Sequence, residues 1–150
     1  MSKLLVIVLT LILNISGYSL NGIKIEKQPA KEGVVIHYSS HVAYGTVEDT
    51  KNVYRIKVYS DKTITYGYDS SGKFTKVELT DEQYDELIDY AFSSKILNLD
   101  RDISDNDSYD GGYSYIKLHF ADNTTFKTGG LNPYNENYRK LVTMLSSYKK

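Results

Sequence analysis

Short runs in which apolar and polar residues alternate, separated by turn residues, constrain this chain more than any other feature. In VYRIKVY, residues 53–59, apolar side chains alternate with Arg55 and Lys57, the period-2 pattern of a strand with one face in water. Turn residues 60–62 lead into TITYGY, so the two runs predict an antiparallel hairpin. KFTKVEL continues the pattern after it. Before it come VVIHY and HVAYGTV, which Ser39 and Ser40 are expected to separate as a turn.

A second hairpin is predicted near the C-terminus. In YSYIKLHF, apolar residues at 116, 118 and 120 alternate with Tyr115, Lys117 and His119. The sequence ADN, residues 121–123, supplies a turn into TTFKT, and Gly129 with Gly130 ends that strand.

The sequence LTDEQYDELIDYAF predicts an amphipathic helix. Thr80 is an N-cap and Gln83 follows three residues later, which is the pattern of a capping box. Apolar residues then recur at helical spacing and form one stripe, which we expect to face the core: Tyr84, Leu87, Ile88, Ala91 and Phe92. The KILNL that follows is expected to be an irregular apolar segment.

A second helix is predicted after the last strand. We expect Asn132 to cap it and Pro133 to occupy its first position, where the missing N–H has no consequence. Its apolar face would be Tyr134, Tyr138, Leu141, Val142 and Leu145. The chain is therefore expected to be an α+β domain: an antiparallel sheet built from successive hairpins, with two helices packed on one face.

The N-terminus has the pattern of a secretory signal peptide. Lys3 precedes ten unbroken apolar residues, Leu4 to Leu13, which is shorter than the ~20 residues of a membrane span. We therefore expect a signal peptide at 1–19, an N-terminal tether or loose strand at 20–33, and a single α+β domain at 34–150. The mature protein would be secreted, extracellular and without a stable membrane anchor.

Composition limits the partners that this chain is expected to bind. Loss of Lys3 with the signal peptide lowers the basic residues from 18 to 17 against 19 acidic ones, a formal charge of −2. That balance predicts no nucleic-acid partner. There are no cysteines, so the core of the mature chain must stabilise it without disulfides.

The stretch DRDISDNDSYDGGYSY, residues 100–115, resembles a metal site more than any other. An EF-hand loop needs Gly at position 6 and Glu at position 12. Neither a loop that begins at Asp100 nor one that begins at Asp105 supplies them. We interpret it as a solvated connection with no cofactor, because Asp, Asn and Ser form turns through local hydrogen bonds. A looser calcium site remains as the testable alternative, with these candidate ligands: Asp100, Asp102, Asp105, Asp107 and Asp110.

No catalytic residue is assigned. His37 and His41 form an H-x3-H pair, but the turn expected between them does not give zinc spacing, and His119 lies on the polar face of its strand. The chain has no G-x-S-x-G motif, cysteine nucleophile or phosphate-binding glycine loop. Asn106 and Asn123 begin N-glycosylation sequons, which have a meaning only in a eukaryotic secretory pathway.

The segments VYRIKVYSDKTITYGY, LTDEQYDELIDYAFSSKILNLD and GGYSYIKLHFADNTTFKTGGLN, with the last helix, resemble an uncharacterised domain of exported bacterial proteins. The order of elements is similar to that of emfourin-like inhibitors of thermolysin-type metalloproteases. The resemblance spans about Val53 to Leu145 and rests on turns and core positions. It implies an exported α+β domain and inhibition of an extracellular protease. The cysteine-containing segment that often begins the uncharacterised domain is absent, and no functional residues are transferred.

Two functions follow as hypotheses. The first is a small secreted binding module that engages an extracellular protein, through a sheet face or through the loops Ser104–Gly112 and Gly129–Asn135, with protease inhibition as one form. The 15 tyrosines suit such a surface, although the ordinary interpretation is that they belong to half-buried strands. The second is a small secreted hydrolase whose polar groups converge only in three dimensions. A cleft with His and a carboxylate would favour the hydrolase. A convex, Tyr-rich face without a pocket would favour the binding module.

Overall fold

The computed structural model describes residues 27–44, 47–48, 52–105 and 111–149. The predicted signal peptide and the first half of the predicted tether, residues 20–26, lie outside these residues. At the start of the described chain, Pro29 forms an isolated antiparallel bridge with Phe120, and Ala30 N donates to the carbonyl oxygen of His119. The last part of the predicted tether is therefore bonded to the sheet.

The fold is α+β, as the sequence predicts, and all its strand pairs are antiparallel. Its strands are β1 (Val34–Tyr44), β2 (Val47–Glu48), β3 (Tyr54–Tyr59), β4 (Thr63–Tyr68), β5 (Phe74–Glu78), β6 (Gly111–His119) and β7 (Thr125–Leu131). Six of them follow the order β5-β4-β3-β1-β6-β7, and the two-residue β2 pairs with β1. The predicted β3–β4 and β6–β7 hairpins are both present.

Strand β1 corrects one prediction. Ser39 and Ser40 do not form a turn: they pair with β3 on one side and with β6 on the other, in the middle of a continuous strand. Two complete ladders of main-chain hydrogen bonds outweigh the turn preference of two serines. His37 and His41 consequently lie on one face of β1, about 13 Å apart along the strand, and cannot share a zinc ion.

The helices are α1 (Asp81–Ala91), α2 (Ser94–Leu97) and α3 (Glu136–Ser147). The capping box is present, because Thr80 Oγ1 accepts from Gln83 N at 3.2 Å and Gln83 Oε1 accepts from Thr80 N at 3.0 Å. Leu87 and Ala91 face the core as predicted. The KILNL segment, expected to be irregular, includes the single turn α2, which buries Ile96.

The start of α3 differs from the prediction. Asn135 caps the helix, with its Oδ1 accepting from Asn137 N at 2.9 Å and from Tyr138 N at 3.2 Å. Asn132 instead has a positive φ of 45°, and its Oδ1 accepts from Gly112 N at 3.0 Å. Tyr134 therefore precedes the helix and does not belong to its apolar face.

One hydrophobic core joins the helices to one face of the sheet, here called the inner face. Inward residues of the central strands, such as Ile56, Ile116 and Leu118, are fully buried in the same cluster as Leu87 and Leu141. The opposite face of the sheet, the outer face, carries the alternate residues of each strand. Both predicted helices thus pack on one face, as expected.

Candidate functional site

A cleft of about 660 Å³ opens beside α3 at one end of the sheet; its lining includes inner-face residues together with His41 and Tyr113, which belong to the outer face of β1 and β6. The residues of the sheet change character towards this end. Ile36 pairs with Leu118 in the core, whereas four residues further along β1, Ser40 pairs with Ser114. The small serine side chains leave a space that isoleucine and leucine fill elsewhere.

Six of the residues that line the cleft are tyrosines: Tyr38, Tyr54, Tyr68, Tyr113, Tyr134 and Tyr138. They come from strands β1, β3, β4 and β6, from the loop before α3, and from α3 itself. A tyrosine ring presents a large apolar surface together with one hydroxyl, so this lining suits contact with a partner that is partly apolar and partly polar.

Tyr138 anchors α3 to the floor of the cleft. It is 2% exposed, and its hydroxyl lies 2.9 Å from Ser114 Oγ. Burial raises the pKa of this tyrosine, so the phenol stays protonated. Tyr54 and Tyr68 form a second fixed pair, with ring centroids 4.9 Å apart and planes inclined at 52°, and the Lys149 ammonium lies 5.3 Å from the Tyr54 centroid.

Exposed apolar side chains are among the residues that line the cleft. Tyr134 is 76% exposed, Val42 55% and Tyr68 46%, and all three line the cleft. Clustered exposure of large apolar groups beside a concavity is typical of a binding surface.

The described polar side chains of the cleft include one histidine and one arginine. Arg139 is the charged residue among those that line it, and no aspartate, glutamate or cysteine is among the described lining residues. His41 is present, with its ring stacked on Tyr113 at 5.4 Å.

Three of the aspartates singled out in the sequence are described, and they lie along β7: Asp100, Asp102 and Asp105. The Asp100 carbonyl oxygen accepts from Thr128 Oγ1 at 2.6 Å, and Asp102 forms a parallel bridge with Gly129. Asp102 Oδ1 also accepts from Ser104 N at 2.9 Å, and hydrogen bonds from Ser104 lower the pKa of that carboxyl. Asp107, Asp110 and the sequon residue Asn106 lie outside the described residues.

The first half of the Asp-rich connection is consequently part of the fold. Ile103 N donates to Gly129 O at 2.9 Å, Asp105 N donates to Leu131 O at 3.0 Å, and Ser104 Oγ accepts from Leu131 N at 3.0 Å. These bonds cover the outer edge of β7. Within the described part of the chain, no group of three or more His, Asp or Glu side chains lies close enough to hold a metal ion.

Gly130 makes this close packing feasible. Its φ of +146° is rare for residues with a side chain, and a Cβ there would collide with Ser104 Oγ and lie 2.7 Å from Asp102 Oδ1. The Gly-Gly pair, predicted only to end a strand, lies inside β7 and admits the covering segment.

The histidines and the second sequon have separate environments. His37 Nε2 accepts from Arg55 Nη1 at 3.1 Å; burial first, and then the charges of Arg55 and Lys57, lower its pKa to about 4. Burial also lowers the pKa of His119. Asn123 lies exposed in the β6–β7 turn with a φ of 62°.

Sequence reasoning did not find the cleft. Its signal was present: Tyr38, Tyr54 and Tyr68 occupy inward positions on three strands, and Tyr54 is paired with Ser40. The alignment of those strands depends on β1 lying between β3 and β6, which the sequence does not state.

No protein-family model matches this chain, and a search of curated proteins found no significant match. None of the helices within the described ranges is long and apolar enough to cross a membrane.

Proposed function

We propose that this protein is a small secreted binding module, and that its tyrosine-lined cleft receives a segment of an extracellular partner protein. The observation that carries the proposal is the cleft itself, with six tyrosines in its lining, of which Tyr68 and Tyr134 are exposed together with Val42. Secretion rests on the N-terminal sequence, where Lys3 precedes the apolar run Leu4 to Leu13.

The shape of the site favours a receiving role. On the sequence alone, a convex, Tyr-rich face without a pocket is the feature that would favour a binding module, whereas six tyrosines line a concave cleft. The loop 129–135, expected to engage a partner, supplies Asn132, Pro133 and Tyr134 to the cleft wall. An inhibitor that inserts a loop into a protease would instead need a protruding segment, so inhibition by this site would act through capture of a protease segment.

The composition of the lining favours binding over hydrolysis. Fixed aromatic rings lose little conformational entropy on binding, which makes tyrosine effective in recognition. Arg139 provides one positive charge at the wall and suits a partner segment with an acidic residue. The hydrolase alternative would use His41 as a general base.

Capture of partners from the native extracellular medium tests this function. The purified mature chain is compared with a Tyr68→Ala/Tyr134→Ala variant and with Phe74→Ala, an exposed aromatic residue on the edge strand β5 outside the cleft. We expect one partner to be retained by the parent and by Phe74→Ala, and lost by the double variant.

Two results would contradict the proposal. Equal retention by all three proteins would place the partner elsewhere on the surface. Cleavage of the captured partner on incubation, followed by mass spectrometry and abolished by His41→Gln, would favour the hydrolase.

A further inference from the structure

The outer face of the sheet carries a line of lysines that the sequence does not place together. Paired residues on neighbouring strands share a face. The register therefore defines a row of residues that crosses the six strands from β5 to β7. From β5 to β7 this row, here called the basic row, consists of Lys76, Thr65, Lys57, His37, Lys117 and Lys127. It lies on the opposite side of the sheet from the helices and does not depend on the function proposed for the cleft.

The positive charge is confined to a line. Strands lie about 4.8 Å apart, so five steps from Lys76 to Lys127 span about 24 Å. In the neighbouring row on one side, Arg55 is held by Asp69, with Arg55 Nη2 2.6 Å from Asp69 Oδ2. In the neighbouring row on the other side, Glu78 pairs with Thr63, and His119 with Thr125.

Among the described carboxylates of this side, Asp69 lies close to the row, because the hydrogen bond from Arg55 first, and then the charges of Arg55, Lys57 and His37, lower its pKa. Asp69 follows β4 and is bonded to Arg55. Asp61 lies in the β3–β4 turn and accepts from Thr63 Oγ1 at 2.6 Å, and Glu78 ends β5. The centre of the row is positive: the charged groups that lower the pKa of His37 are Arg55, Lys57, His119 and Lys117.

The aromatic rings at the β6 side of this face are in contact with other groups, and Phe74, on the edge strand β5, is a single ring that is 41% exposed, with the Lys57 ammonium 6.0 Å from its centroid. The Tyr113 ring stacks against His41 at 5.4 Å and against Tyr115 at 6.5 Å, and the Lys127 ammonium lies 3.8 Å from the Tyr115 centroid. Proteins that bind single-stranded nucleic acid present accessible ring faces on which bases stack. This face therefore offers a line of point charges and not a stacking platform.

We propose that the basic row binds a linear acidic polysaccharide, whose carboxylate or sulfate groups lie along Lys76, Lys57, Lys117 and Lys127. A line of charge one residue wide matches an extended polymer better than a planar membrane, which would use charge spread over an area. Lysine ammonium groups pair with anionic groups without requiring the planar geometry that arginine prefers. The formal net charge of the whole chain does not indicate this basic surface, because acidic residues of α1, on the other side of the sheet, balance the lysines. These acidic residues are Asp81, Glu82, Asp85, Glu86 and Asp89.

Calorimetric titration tests the proposal, with heparin oligosaccharides as the polysaccharide probe. The comparison ligands are a thymidine oligonucleotide of equal charge and vesicles of equimolar phosphatidylcholine and phosphatidylserine. We expect the protein to bind heparin most tightly, with an affinity that falls steeply as salt increases. Equal or tighter binding of the oligonucleotide or the vesicles, or no binding of heparin at low salt, would overturn the proposal.

Matched charge variants locate the site. We expect Lys57→Gln/Lys117→Gln/Lys127→Gln to weaken heparin binding on the order of tenfold, since three exposed ion pairs are lost. The control Lys95→Gln/Lys140→Gln/Lys149→Gln removes the same charge from the helical side and should change affinity less than about twofold. Equal loss in both variants would overturn the assignment.

Two further measurements guard against misleading results. If the glutamine variant at the row lowers the melting temperature, Lys57→Arg/Lys117→Arg/Lys127→Arg must still bind heparin, and loss of binding in that folded variant would contradict the proposal. Sedimentation of the protein without polysaccharide tests whether the basic row binds the acidic α1 face of a second copy of the chain instead. Salt-sensitive self-association that Glu82→Gln/Glu86→Gln removes would assign the row to that contact instead.

Discussion

The hydroxyl of Tyr66 donates a hydrogen bond of 2.9 Å to the main-chain carbonyl oxygen of Leu145. Tyr66 is 2% exposed in the middle of β4, and Leu145 is buried in the last turn of α3. The bond links the end of the last helix to the sheet across 79 residues of sequence. It satisfies a polar oxygen in the core, and burial raises the pKa of the Tyr66 phenol so that it remains a donor.

Tyr66→Phe should lower the free energy of unfolding by about 1–3 kcal/mol, because it leaves the Leu145 carbonyl without this donor. Urea denaturation measures the loss. Tyr134→Phe, at a side chain 76% exposed, is the control and should change stability by less than about 0.5 kcal/mol. A neutral Tyr66→Phe would show that the bond does not contribute to stability.

Leu87→Ala should destabilise the fold by about 2–5 kcal/mol, because Leu87 is fully buried where α1 packs on the sheet. Glu86→Ala, at the exposed neighbouring position, should cost under about 1 kcal/mol. Chemical denaturation of both variants checks the assignment of the helix face, and similar losses for the two would refute it.

Gly130→Ala should destabilise the protein by more than about 1 kcal/mol, since the new methyl group would collide with Ser104 in an unfavourable backbone conformation. Gly72→Ala is a matched control: its φ of +60° is also positive, but a Cβ there meets no atom within 4 Å. We expect Gly72→Ala to cost only about 1 kcal/mol. Equal melting temperatures for the two variants would argue against tight packing of residues 102–105 on β7.

His37 should make stability depend on pH between about 6.5 and 4. Its pKa is lowered to about 4 in the folded state, chiefly by burial, so in this window the unfolded chain takes up a proton that the folded protein does not. The contribution of His37 to the free energy of unfolding is therefore fully present above pH 6.5 and is lost as the pH falls towards 4. Denaturation of the parent and His37→Gln at several pH values measures the effect, and the variant should show a flatter dependence. Parallel curves for the two proteins would exclude His37 as the source.

The solvated interpretation of the Asp-rich connection predicts that calcium leaves the melting temperature unchanged. A calcium site would instead stabilise the fold by about 2.7 kcal/mol at a hundred times its dissociation constant. Thermal melts in excess calcium and in chelator, for the parent and for Asp105→Asn/Asp107→Asn, distinguish the two. A calcium-dependent rise that the double variant loses would overturn the interpretation as a connection.

Local pattern in the sequence determined which faces of individual elements are buried. Period-2 alternation predicted that Ile56, Val58, Ile116 and Leu118 turn inward, because adjacent side chains of a strand point to opposite faces. The Thr80 capping box predicted the start of α1, since its hydrogen bonds join residues only three apart. These features depend on neighbours in sequence and therefore could be read from it.

Tertiary structure decided the features that depend on which strands are neighbours. Ser39 and Ser40 favour a turn locally, but they lie in a central strand because β3 and β6 pair on either side of it. Asn132 has a side chain suited to a helix cap, but it accepts a hydrogen bond from Gly112 N, and Asn135 caps α3 instead.

The cleft and the basic row have the same origin. Lys57 and Lys117 are 60 positions apart in sequence, and they come within two strand spacings only because His37 of β1 pairs with both. Ser40 and Ser114 meet in the same way to form the cleft floor. Local side-chain preferences do not predict which strands pair over such separations. That pairing is set by burial of the whole inner face against the helices. The sequence by itself determined the faces of its strands, and the order of the strands decided which side chains those faces bring together.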